Sequence, residues 1–269
     1  MFLVYLFIFL LGLATGSFLN VVIYRLEKEE SLSGRSYCPH CKHTLNWLDL
    51  VPLFSFFALG GKCRYCHEKI SIQYPIVELL TGIIFLLIFW SLGFNWALGI
   101  SLRDVLWAKG IWDFVKLCFM FYVSSSMIVI FVYDLKHYLI PDKVLFPAIG
   151  IAFAYRLLTF ENSFNYILAA ATASGFFLII YLISRGRWMG FGDVKLAILL
   201  GLILGFPNIL AGLFLAFLFG AIIGVGAIFL KKKGLKSEIP FGPFLILGTF
   251  LAMFWGPQII SWYLNLVIY

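Results

Sequence analysis

Read only for apolar and polar positions, the chain is a succession of long apolar runs cut by short polar breaks. A helix that spans a bilayer needs about 20 mostly apolar residues. Eight runs approach that length: Phe2–Tyr24, Ile76–Leu92, Trp112–Tyr133, Lys143–Thr159, Phe164–Ser184, Asp193–Phe206, Asn208–Leu230 and Phe241–Leu266. The sixth is short, so its helix either starts a few residues earlier or does not cross fully. Pro207–Asn208 marks its end. The runs are continuously apolar, whereas a transmembrane β-barrel needs apolar and polar residues in alternation. The pattern therefore predicts an all-α membrane protein, a polytopic helical bundle of about eight transmembrane helices. Glycines four residues apart at Gly12/Gly16, Gly201/Gly205 and Gly220/Gly224 predict close helix contacts. One long polar interruption divides the chain into a first transmembrane helix (1–24), a loop (25–74) and a polytopic membrane domain (75–269).

Composition sharpens this picture. The chain is 62% hydrophobic and 12% charged, against about 25% charged in soluble domains. The net charge of +7 reads as loop bias and not as a nucleic-acid footprint, because no basic stripe interleaved with aromatics lies on a soluble face. Met1–Ile23 is uncharged and the first positive residue, Arg25, follows it. A secretory signal carries its charge before the apolar stretch, so a retained first helix with a translocated N-terminus is expected. In that orientation sixteen of the twenty Lys and Arg residues fall on the inner side, leaving Arg103, Lys109, Lys116 and Arg156 outside. The positive-inside rule then places both termini outside and the Arg25–Tyr74 loop in the cytoplasm. Aromatic ends such as "WSLGFNW" and "FWGPQIISWY" suit interface belts, and "KKKGLK" suits a positive anchor.

Within the cytoplasmic loop, Cys38, Cys41, Cys63 and Cys66 form two C-x2-C turns separated by 21 residues. Each turn presents two thiolates to one side, and two such turns close a tetrahedral metal site. The alternatives are two disulfides or free thiols, and a reducing compartment argues against disulfides. Four thiolates leave no open coordination position, so zinc, or iron in its place, is structural here. His40, His43 and His67 lie nearby as solvated loop residues, and Cys118 stands alone in the third run as a core residue.

Two aspartates raise a different question, because a carboxylate at membrane depth is costly. Asp134, in "VYDLKHYLIPDK", ends the third run. Asp193, in "GFGDVKL", begins the sixth. Counting spans from the outside, both fall at the cytoplasmic level on different helices, so they can meet. Close carboxylates share one proton, and the ionised one can activate water while the other donates. Gly190 and Gly192 allow close backbone approach. On residues alone a transporter's proton relay competes with this dyad, although many transporters carry internal repeats and none is visible. Helix-end roles compete too, and Asp142 after Pro141 reads mainly as a helix start. A scaffold protein would have no use for aspartates at matched depth.

The motifs "GSFLNVVIYRL", the paired C-x2-C turns, "QYPIVELLTG", the aspartate of "YDLKHYLIPD" and "GFGDVKL" occur together and in order. In this the chain resembles the type IV prepilin peptidases, relatives of the GxGD aspartic proteases, over nearly its whole length. The resemblance implies that Asp134 and Asp193 are catalytic. It implies cleavage of prepilin or pseudopilin leaders after a glycine at the cytoplasmic face of the bacterial inner membrane. It also implies N-methylation of the new terminus with S-adenosylmethionine, and a structural zinc in a small cytoplasmic zinc-knuckle loop. Glu78, in "YPIVELL", is a candidate for the methyl donor's site, with a helix-start role as the alternative.

Overall fold

A computed structural model of the chain describes residues 2–93, 108–159, 162–229 and 240–268. Among these residues there is no β-strand, only two isolated bridges. The α-helices are α1 (Phe2–Glu27), α2 (Phe54–Ala58), α3 (Gln73–Ser91), α4 (Ala108–His137), α5 (Asp142–Thr159), α6 (Ser163–Ser184), α7 (Phe191–Leu204), α8 (Asn208–Phe229) and α9 (Gly242–Ile268). Each of the eight apolar runs is a helix. Six are long and apolar enough to cross a membrane, and α5 and α7 are the exceptions. The protein is thus an all-α, multi-pass membrane protein. Of the loop residues singled out by charge, Arg103, Lys231, Lys232, Lys233 and Lys236 lie outside the described residues, as does most of "WSLGFNW".

The chain forms two compact units, Met1–Val129 and Ile130–Tyr269. In the first, α1 and α3 touch backbone to backbone. A Cβ added at Gly12 would lie 2.7 Å from Gly82 Cα, and one at Gly16 would lie 2.7 Å from Glu78 Cα. Small residues are what permit this approach. Tyr5 meets Phe89 edge-on at 5.4 Å, and Phe85 stacks on Phe121 at 3.9 Å. Where α1 leaves the apolar layer, the buried Arg25 guanidinium donates to the carbonyls of Ser31, Ser33, Gly34 and Arg35. One side chain thereby curls the whole segment leading into the first cysteine turn. Cys118 does not join the core as the sequence suggested. It is exposed on α4, since a helix hydrophobic all round gives no signal of which face is inside.

The second unit is built on similar contacts. Gly201 of α7 lies so close to Ala169 and Ala170 of α6 that a Cβ would fall 2.7 Å from the Ala169 carbonyl carbon. Gly248 of α9 presses on Gly212 and Ala216 of α8. Gly205 meets α6 too, since an added Cβ would lie 2.8 Å from the Tyr166 ring, and it is also the C-cap of α7, at φ 62°. Among the described residues Gly224 meets nothing within 4 Å and Gly220 nothing nearer than the Phe241 ring at 3.5 Å, so that pair makes no close contact there. Helix α7 has 14 residues, about 21 Å at 1.5 Å per residue, short of a hydrocarbon core of about 30 Å. Its last carbonyls therefore end among other helices and need partners. Arg156 supplies them, donating to Leu202 O at 2.8 Å and Ile203 O at 2.9 Å. Asn165 pairs with both the N–H and the C=O of Phe206.

Candidate active site and metal centre

Asp134 sits in the last turn of α4 and is 5% exposed; Asp193 is the third residue of α7 and is 8% exposed. The fold brings them together within the second unit, close enough for the charge of Asp134 to act on Asp193. Each carboxylate is held by the amide of a helix start. Asp193 accepts from the N–H of Gly190, the N-cap of its own helix, while its N–H bonds Gly190 O at 3.2 Å. This is only the acidic half of a capping box, because Gly190 has no side chain to return the bond. Asp134 accepts from the N–H of Gly242, the first residue of α9. Partial positive charge at helix N-termini favours carboxylates there, which reduces the cost of burying two of them.

Gly192 serves close approach: an added Cβ would lie 3.2 Å from Ile140 Cβ. Gly190 is the extended N-cap, at φ −75°, so the freedom that glycine gives at positive φ is not used there. Asp142 does start α5 and pairs with Lys195, two residues beyond Asp193. Gly242 was absent from the sequence reading. Its signal was the stretch Pro240–Phe241–Gly242–Pro243, a proline-bracketed glycine directly before an apolar run, which marks a helix start whose amides point at something.

In the first unit the cysteine turns are near-copies of one another. Cys38 N–H bonds His43 O and Cys63 N–H bonds Glu68 O, at 2.9 and 2.8 Å. The residue after each second cysteine, Lys42 or His67, takes φ 60° or 58°. This aims the amides of His40 and Cys41 at the Cys38 sulfur, and those of Tyr65 and Cys66 at the Cys63 sulfur. All four Sγ atoms lie within 4.8 Å of one another. Sulfurs about 2.3 Å from a tetrahedral zinc stand about 3.8 Å apart, and Cys38 Sγ and Cys66 Sγ are 3.8 Å apart. The cluster can hold a metal ion. Burial pushes the Cys63 thiol up, but the Cys66 and Tyr65 amides outweigh it and hold the group at about 7. At Cys66 the Glu68 amide pulls the pKa down, yet burial and the neighbouring thiols carry it up to about 12.

The three histidines stay outside the cluster. His43 packs on the Tyr65 ring at 3.8 Å, tying one turn to the other. Asp49 accepts from Arg64 Nε at 2.7 Å, from Tyr65 OH and from Asn46 N. Glu78 lies inside α3 and not at its start, and its Oε2 accepts from Leu53 N–H at 2.8 Å.

Comparison with known proteins follows the same division. Residues 10–92 match the bacterial peptidase A24 N-terminal domain, and residues 121–225 match the type IV leader peptidase family. The prepilin leader peptidase/N-methyltransferase of Aeromonas hydrophila is 32% identical, covering 96% of this chain and 93% of its own. Its namesake from Legionella pneumophila is 31% identical, over 97% and 94%. The one from Bacillus subtilis is 30% identical, over 97% and 98%. No solved structure matches. End-to-end similarity at this level shows that the chain belongs to the type IV leader peptidase family.

Proposed function

We propose that the protein cuts the leader from type IV prepilins and pseudopilins after a glycine, at the cytoplasmic face of the inner membrane, and then methylates the new N-terminal amine. The observation that carries this reading is the pair of buried carboxylates, Asp134 and Asp193, held near each other by two helix starts. Charges this close cannot both be free, so the pair holds one proton between them. The ionised aspartate takes a proton from water, which attacks the scissile carbonyl carbon. The protonated one donates to the carbonyl oxygen, and proton return to the amide nitrogen releases the leader.

The substrate suits this position. A pilin precursor carries a basic leader, then a glycine, then an apolar helix. Glycine costs a helix roughly 1 kcal/mol relative to alanine, which helps expose the scissile carbonyl at the membrane surface. For methyl transfer, S-adenosylmethionine would supply the methyl group as a diffusible co-substrate and leave as S-adenosylhomocysteine, the amine losing one proton. The cysteine cluster holds zinc, and its role is structural because four thiolates close the coordination shell. The working parts are the first helix (1–24), the cysteine loop (25–74) and the membrane peptidase domain (75–269), with both termini outside. Mass spectrometry of a co-expressed prepilin tests the whole reading. The expected product lacks the leader and carries one added methyl group. A prepilin recovered at full length would overturn it.

A further inference from the structure

Gly242 is set against Asp134 more tightly than any side chain could be. A Cβ built on its backbone would collide with Asp134 Oδ2 and would stand 3.3 Å from Asp134 Cγ and 3.6 Å from Ile140 Cδ1. Its N–H donates to the same carboxylate. Ile140 in turn touches the Cβ position of Gly192, next to Asp193, at 3.2 Å. The start of α9, Ile140 and the turn before Asp193 are therefore packed in series beside Asp134. Pro243 follows directly and fixes φ at the first turn of α9, so the backbone of Gly242 has little freedom to retreat.

We propose that Gly242 is a positioning residue for leader cleavage. Its amide binds one oxygen of Asp134, and its missing side chain leaves room for that carboxylate to turn toward Asp193. The other carboxylate oxygen is then left for water. This rests on the peptidase reading, and its sequence signature is the proline-bracketed glycine at 240–243. A misplacement of about 1 Å in a catalytic group costs on the order of 100-fold in rate.

The test is Gly242→Ala, assayed in detergent with a prepilin substrate. The kcat for cleavage should fall by about 100-fold, while KM stays within about twofold, because binding of the substrate helix is untouched. Methylation of an already cut substrate should persist. Gly248→Ala is the matched packing control. It creates an equally severe clash, with Gly212 O and Ala216, on the same helix away from Asp134. It should lower thermal stability without the selective loss of kcat. Gly224→Ala, with nothing within 4 Å among the described residues, should cut like the parent. If Gly242→Ala cuts near the parent rate, or if it and Gly248→Ala show the same kinetic pattern, the assignment is overturned. A parent that cuts no prepilin would instead overturn the peptidase reading, and this inference with it.

Discussion

Removing the metal from the cysteine cluster should unfold the loop module and spare leader cleavage. Between Lys28 and Ile72 the only buried apolar side chains are Cys38 and Cys63, and Trp47, Phe54 and Phe57 are 71%, 69% and 73% exposed. A fully buried Leu or Phe contributes about 1.5–3 kcal/mol, and this segment contains none. Ordering its backbone costs about 1–2 kcal/mol per residue. Structural zinc in small domains contributes about 10–16 kcal/mol, so a metal bound here would be the largest favourable contribution within the module. Metal must also displace thiol protons. Metal retention should therefore fall as pH is lowered. The assay is elemental analysis with limited trypsin digestion, read at Lys62, Arg64 and Lys69. Chelation, or Cys63→Ser, should speed cutting there by more than about tenfold, because proteolysis tracks the open population. Cleavage of a prepilin should continue, because the second unit holds both aspartates. A metal-free protein with an equally resistant loop would refute the reasoning.

Two further substitutions probe the surroundings of Asp193. The Asp142–Lys195 pair is half exposed on the aspartate side, and such pairs contribute at most about 1 kcal/mol. Asp142→Asn should therefore keep most of the cleavage activity in the same assay. Arg156→Met removes two charge-assisted hydrogen bonds from the end of α7. It should cost about 1–4 kcal/mol in detergent unfolding experiments and lower cleavage through movement of α7.

The membrane architecture was legible because bilayer thickness imposes a length and an apolarity that few other folds satisfy. The aspartates were legible because charge inside an apolar run is rare, and the cysteines because their spacing repeats. What the sequence hid was direction. Nothing in an all-apolar helix marks which face is inside, so Cys118 was misplaced. Glycine spacing does not say whether a neighbour arrives, so Gly220/Gly224 promised a close contact that does not form among the described residues. The hydrogen bond between the Leu53 N–H and Glu78 was hidden too, because a backbone donor has no sequence signature. Gly242 was silent for the same reason, since it acts through an amide and an absent side chain.

The central claim is that Asp134 and Asp193 act as one catalytic unit, and cleavage by the single mutants tests it most directly. Asp134→Asn and Asp193→Asn should each reduce leader removal to background, measured by mass spectrometry of the prepilin with purified, correctly inserted enzyme. Losing either group ends the chemistry, because one must take a proton while the other gives one. Each mutant should still methylate a substrate supplied already cut, which shows that the rest of the protein is intact. If either mutant removed the leader at near the parent rate, the dyad would not be the catalyst.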